Sequence, residues 1–343
     1  MASAQRWAIY ALGGGLGHLT RAMALARAAL KSANRCGDHV ARRGPLQVDV
    51  LTNSPFAHLV CRFVAESAIR MHVLPAQAEK RQTVAAVQQW LQNSDATTLI
   101  VDTFPRGLGG ELAEILPRLP VRKVLVQRAM NAEYAQRSAV REAIGCFDTV
   151  LVPGEPLAWM PDRAVRSPPW LVRDFDELRA PQVAAAVLGA DDLPVVAFVG
   201  CGTTAEVAEL RGWAHNTARQ LSRQAHVCLL DAAAAVSSRE ESGLHVICHW
   251  PLLELLPGVD VMIAGGGYNC VHEARLTGTQ FLGVVRERLY DGQQQRLQDA
   301  GVLTVTADSL LRHVQQALAA GRRPPCLPYE NGVHTAVTHL LGD

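Results

Sequence analysis

Nowhere in this chain does an apolar run approach the roughly 20 residues that a membrane-spanning helix requires. The first apolar stretch, residues 7–12, is short and ends in glycines, so no secretory leader is expected there. The eight cysteines (36, 61, 146, 201, 228, 248, 270 and 326) include no Cys-x-x-Cys pair and sit mostly in apolar runs, as free buried thiols do. Structural disulfides are therefore not expected, and the expected location is the cytoplasm. A metal-ligand cluster is missing too: His245, Cys248 and His249 lie close in sequence, but they read as a strand end with no second cluster to complete a site. Net charge is only +1, which gives no ground for a nucleic-acid partner.

What the chain does have is enough apolar material for two cores. Its 343 residues exceed the usual size of one domain, and 49% of them are apolar. Charge is unevenly spread: residues 1–165 carry 19 Lys and Arg against 13 Asp and Glu, the remainder 14 against 19. A basic first half would steer an anionic acceptor or a membrane surface toward it, although a solvated surface gives the same count; peripheral membrane contact stays open.

Short apolar runs alternate with longer amphipathic ones, the pattern of β-α units on a mainly parallel sheet. Strands are expected at 7–12, 48–52, 71–74, 98–101, 123–127 and 149–152, with a helix over 18–31 and a polar loop over 35–45. The segment 160–176 (MPDRAVRSPPWLVRDFD) interrupts the alternation with three prolines and marks the expected interdomain connection. A second series follows, with strands at 195–199, 226–230, 245–247, 261–264, 281–285 and 303–305. Its helices are expected near 205–222, 269–277, 292–299, 309–319 and 333–341.

Three glycine turns stand between strand and helix. In the first, Gly13-Gly14-Gly15-Leu16-Gly17-His18, the missing side chains let a ligand approach the backbone, and the helix start offers unpaired N–H groups to an anion. Dinucleotide-binding folds open similarly, but His18 stands where their third glycine would be and no acidic residue closes the second strand at Thr52-Asn53. His18 at a helix start, with an ordinary pKa of about 6.5, suits a general base; it equally suits a ring packed against the helix end. The second turn, Gly200-Cys201-Gly202-Thr203-Thr204, fits a diphosphate or a tight turn with a threonine cap. The third, Gly265-Gly266-Gly267-Tyr268-Asn269, leads into a helix carrying Glu273, whose carboxylate can accept both ribose hydroxyls. Asp291, Gln293 and Gln294 cluster after the strand at 281–285, as hydroxyl recognition would need, or as any exposed helix start would show.

Together, GGGLGHLTRA near the N-terminus and AGGGYNCVHEA about 250 residues later resemble the GT-B glycosyltransferases, in particular the branch related to the lipid-linked peptidoglycan N-acetylglucosaminyltransferase. The resemblance spans nearly the whole chain. It implies an α/β fold of two Rossmann-like domains facing across a cleft: an N-terminal acceptor domain (1–160), a linker (161–176) and a C-terminal nucleotide-sugar domain (177–343). It implies transfer of a hexosyl or N-acetylhexosaminyl group from a nucleotide diphosphate donor, a UDP-sugar, to an acceptor the sequence does not identify, without cofactor or metal.

Carried onto this chain, the resemblance places Gly202, Thr203, Thr204, Gly266, Gly267 and Asn269 around the diphosphate, Glu273 on the ribose and the base near His249 and Trp250. Asp291, Gln293 and Gln294 would meet the donor sugar. His18 would be the base, with Asp102 of LIVDTFPRG beside it or merely capping the next turn, and Gly14, Gly15, Gly17 and Arg128 would lie on the acceptor side, Arg128 as an anion contact. The acceptor regions and apolar membrane patch of the peptidoglycan enzyme have no match. Two rival readings stay open, a nucleotide-sugar hydrolase and a non-catalytic nucleotide-sugar-binding protein.

Overall fold

The computed structural model describes residues 5–35, 45–64, 66–155, 157, 159–190, 192–240, 243–325 and 329–342. The chain divides into two compact units, Met1–Ala57 with Val64–Val172 and Glu330–Asp343, and His58–Phe63 with Arg173–Tyr329.

In the first unit seven strands form one sheet: β1 (Gln5–Tyr10), β2 (Leu46–Thr52), β3 (Ile69–Val73), β4 (Thr98–Asp102), β5 (Arg122–Val126), β6 (Thr149–Pro153) and β7 (Ala164–Ser167). Their order is β3-β2-β1-β4-β5-β6-β7, and every pairing is parallel. Strands covered on both faces must be apolar on both, and β4 and β6 are buried at every position. The helices along this part of the chain are α1 (Leu16–Arg35), α2 (Ala57–Phe63), α3 (Lys80–Gln92), α4 (Ala132–Gln136) and α5 (Ser138–Gly145). Along α1, Leu19, Met23, Ala26 and Leu30 recur at helical spacing and are buried, which fixes its face against the core.

The second unit repeats the plan. Here α6 (Pro181–Val187), α7 (Thr204–Gln220), α8 (Tyr268–Thr277), α9 (Gln293–Asp299) and α10 (Ala307–Ala320) accompany β8 (Val195–Gly200), β9 (His226–Asp231), β10 (Ser238–Arg239), β11 (His245–Ile247), β12 (Val261–Gly265), β13 (Gln280–Val284) and β14 (Leu303–Thr304). The sheet order is β10-β11-β9-β8-β12-β13-β14, parallel except for the β10–β11 pair. One apolar core, built around Val196, Phe198, Leu229, Ile263 and Val314, fills one face of this sheet.

Every expected strand and helix forms, with ends shifted by up to two residues, or four for the end of α1; the expected loop at 35–45 falls mostly outside the described residues. The expected domain bounds need correction at both ends of the second domain. Part of the 161–176 segment is β7, which continues the first sheet beside β6. At the other end, α11 (Val333–Leu341) returns to the first unit and packs on α1. Asn331, 7% exposed, holds that return by accepting from Leu171 N at 3.0 Å and donating to Leu171 O at 2.9 Å. Arg122 adds a bond from Nη1 to Leu340 O at 2.7 Å.

Candidate active site

Open α/β sheets bind ligands where the strand order reverses, because loops leaving neighbouring strands there diverge to opposite faces. In the first unit that point lies between β1 and β4. The glycine turn follows β1 and Asp102 ends β4, so the topology brings His18 and Asp102 to one edge. His18 Nδ1 lies 2.6 Å from Asp102 Oδ2. An ionised carboxylate only accepts, so the ring donates from Nδ1 and Nε2 is left as the accepting atom. Arg21, three residues on and therefore on the same face of α1, grips the same carboxylate from beneath. Its Nε donates to Oδ1 at 2.8 Å and its Nη2 to Oδ2 at 2.6 Å.

Burial is uneven across this group, with Arg21 and Asp102 at 1% and 3% side-chain exposure and His18 at 17%. Burial by itself would favour the neutral acid, but Arg21 and His18 together hold Asp102 well below the ordinary carboxylate range. The imidazole moves down from its ordinary 6.5, chiefly through burial; Asp102 opposes this, and Arg21 and Arg128 add to it. A neutral ring with a free Nε2 at neutral pH is what a general base requires.

The turn itself is shaped around this ring. Gly13, rather than the more open Gly14 and Gly17, is the glycine the geometry demands, since a Cβ there would run into the His18 ring. Asn53 Oδ1 accepts from Gly13 N at 2.8 Å and fixes the turn against the end of β2. Phe104 stacks on the imidazole with centroids 5.4 Å apart. Between Asp102 and Phe104, Thr103 adopts φ +70, a region where a β-branched residue is strained, and takes a 3.2 Å bond from Arg21 Nη2. Arg128, expected to meet an anionic acceptor, is instead buried beside Glu155 at 3.8 Å, so its charge is balanced inside the protein.

In the second unit the strand order reverses between β8 and β12, and these are the strands that the second and third glycine turns follow. The two turns come close to each other: Cys201 of the second lies near Cys270 in the first turn of α8. Their helix starts differ. At α7, Thr203 is the cap of a reciprocal box with Glu206, and Glu206 Oε2 accepts from Thr203 N at 2.8 Å. The same carboxylate is held by Arg288, whose Nη2 reaches Oε2 at 2.8 Å. The positive end of α7 at Gly202-Thr203-Thr204 is therefore met by a carboxylate of the protein itself, the threonine-cap arrangement the sequence left open. At α8 the cap is Gly267, which brings no side chain of its own to the helix start, and the position where a Gly267 Cβ would stand is open.

Glu273, one turn into α8, is 3% exposed, and among the described residues its carboxyl receives no hydrogen bond. Burial, with Cys201 nearby, raises its pKa to about 8. Within the third turn Gly266 carries the closest approach: a Cβ there would come within 2.6 Å of Gln293 O. Arg296, 7% exposed, ties the two segments by donating to Gly266 O at 2.8 Å and to Asp291 Oδ1 at 2.6 Å. Gln293 donates to Asp291 Oδ2 at 3.2 Å and keeps a buried Oε1 without a partner. So Gly266, Asp291 and Gln293 are brought together and Asn269 is half-buried on α8, whereas Gln294 points to the exposed side of α9. Trp250 is 1% exposed and His249 pairs with Glu254 at 3.2 Å, so the Trp250 ring is part of the packing rather than a face for a base.

Among the described residues no three His, Cys, Asp or Glu side chains gather as a metal site would require. The one Asp-x-Asp sequence, Asp174-Phe175-Asp176, is taken up by a short 3-10 turn in which Asp174 and Glu177 cap each other. Among the described residues no helix is long and apolar enough to cross a membrane.

Sequence reasoning missed Arg21, Thr103, Phe104 and Arg296, and took Gly13 only as part of the first glycine turn. Only Arg21 carried a signal, its helical spacing from His18; the others are recognised by what they touch.

Solved structures match this architecture over its full length. The glycosyltransferase SnogD from Streptomyces nogalater is 15% identical, with a TM-score of 0.58 and 99% of each chain covered. MurG from Acinetobacter baumannii is 12% identical with a TM-score of 0.55, covering 99% of this chain and 100% of its own. A UDP-GlcNAc 2-epimerase from Methanocaldococcus jannaschii is 8% identical with a TM-score of 0.56 over the same shares. Neither a family model nor a curated protein matches the chain. At these identities the likeness establishes the fold: two seven-stranded, mostly parallel sheets of the GT-B type.

Proposed function

We propose that this chain is a metal-independent glycosyltransferase that moves a sugar from a nucleotide diphosphate donor, a UDP-sugar, to an acceptor hydroxyl. The observation that carries this reading is the His18–Asp102 contact: a half-buried ring, neutral by environment, with Nδ1 committed to an ionised carboxylate and Nε2 left to take a proton. The fold agrees with it, since glycosyltransferases are prominent among the structures that share the architecture.

In this reading the second unit holds the donor. The N–H groups at the start of α8, behind its glycine cap, with Gly266, Gly267 and Asn269, receive the diphosphate, and Glu273 takes the ribose hydroxyls. Asp291 and Gln293, wired to Gly266 through Arg296, face the sugar. The first unit presents the acceptor. As the acceptor oxygen forms its bond to the anomeric carbon, its proton passes to His18 Nε2, and the bond from the anomeric carbon to the diphosphate oxygen breaks. Charge gathers on the leaving diphosphate, where fixed N–H dipoles stabilise it without a divalent cation.

The same architecture also serves an epimerase, so product analysis is the test. Incubation with UDP-sugars and a panel of hydroxyl acceptors, in the presence of a chelator, is expected to yield glycosylated product and UDP. Rapid sugar release to water without acceptor would favour a hydrolase, an epimerised donor would favour that chemistry, and nucleotide binding without turnover would favour a sensor.

A further inference from the structure

We propose that Arg21 is a positioning residue for the His18–Asp102 pair, fixing the carboxylate with both arms of its guanidinium and drawing off part of its charge, so that the imidazole stays neutral with Nε2 as the accepting atom. Three features of the geometry carry this. Asp102 Oδ2 is shared, at 2.6 Å from His18 Nδ1 and at 2.6 Å from Arg21 Nη2. The second arm, Nε on Oδ1, fixes the carboxylate plane, because a two-point Arg–carboxylate pair defines orientation as well as distance. Nη2 also reaches Thr103 Oγ1, so the guanidinium ties the strained residue after β4 to the carboxylate before it.

The electrostatic consequence follows. A histidine beside a lone buried carboxylate gains a full ion pair on protonation and is driven to the imidazolium form. Here Asp102 already has a permanent cation, since a guanidinium stays charged throughout the accessible pH range. Protonating His18 would place a second positive charge at the same carboxylate in a largely water-free site. The groups facing the ring are Asp102 at the end of β4, Arg21 on α1 and Arg128 after β5, the last with Glu155 beside it. Burial is the main cause of the downward displacement of His18 from its ordinary value; Asp102 opposes it, and Arg21 and Arg128 add to it.

The prediction is read first without any substrate, on the full chain with isotope-labelled histidine, His18 being identified by His18→Gln. Wild-type His18 is expected to titrate below about 6.5 with the neutral ring protonated on Nδ1. Arg21→Met should raise that pKa by about one unit, tenfold in proton affinity. Arg21→Gln, which keeps a donor to Asp102 without charge, provides the same reading should the methionine variant fail to fold. Arg21→Lys, which keeps the charge on one donor, should leave the titration near wild type while loosening the carboxylate. Neutral variants that titrate like wild type would overturn the proposal.

A kinetic counterpart rests on the transferase reading: the acidic limb of the kcat/KM profile should move up with the titration in Arg21→Gln, and kcat should fall in Arg21→Lys with KM little changed. A moved titration with no transfer activity in any variant would uphold Arg21 and sink the transferase.

Discussion

At the residue scale the site depends on single atoms. Removing the base in His18→Ala is expected to lower kcat by about 10²- to 10⁴-fold, the usual contribution of one positioned proton acceptor. Gly13→Ala should do nearly as much while leaving the protein folded, because the three atoms nearest the added methyl all belong to the His18 ring, which it turns off Asp102. A variant with near-normal turnover would show that the ring position does not matter. Glu273 makes a prediction about stability. Its folded pKa of about 8 lies above the value of roughly 4.3 for an exposed glutamate, so the unfolded chain releases a proton that the folded chain keeps. Stability is therefore whole below about pH 4 and falls as pH rises through about 8. Glu273→Gln removes this penalty, and in denaturant titrations its gain over wild type should be larger near pH 8 than near pH 5 by at least about 1 kcal/mol. An equal gain at both values would mean the carboxyl is ionised in the folded state.

Elements decide which of these residues meet. Helix α1 carries His18 and Arg21 on one face, and β4 delivers Asp102 beneath them; neither spacing is visible until β1 and β4 are known to be neighbours. The same scale explains the return of α11. Asn331 satisfies both backbone groups of Leu171, and Asn331→Ala leaves them buried and unpaired. A loss of about 2 kcal/mol is expected in urea unfolding, since an orphaned buried polar group costs about 1–3 kcal/mol. Nucleotide-sugar affinity should be unchanged, because Asn331 belongs to the first unit. The two glycine helix starts behave differently for an equally local reason: Thr203 and Glu206 cap α7 reciprocally, whereas the cap of α8 is a glycine.

For the whole molecule the testable statement concerns the nucleotide. A ligand that binds only the folded chain stabilises it by about 2.7 kcal/mol at a hundred times its Kd. In a thermal-shift screen, UDP conjugates should raise the midpoint more than GDP, dTDP or CMP conjugates, and Glu273→Ala should remove most of that rise. A larger shift with dTDP would reassign the donor without touching the fold.

Alternation of apolar runs with amphipathic ones determined twelve of the fourteen strands, six of the eleven helices described and the placing of glycine turns at strand ends, because period and turn chemistry are local properties that the chain carries wherever it folds. Local pattern also singled out His18, Glu273, Asp291 and Gln293, and the family resemblance added Asp102. What it left undecided is long-range. The polar and proline-rich run containing β7 looked like a linker because an edge strand needs little apolar sequence. Thr203 offered a phosphate contact and a helix cap equally, and the cap becomes visible only in its packing against Glu206, which Arg288 holds. Arg21, 81 residues from Asp102, became part of the site because two strands distant in sequence pair side by side, and a charge can be weighed only once its partner's distance and burial are known.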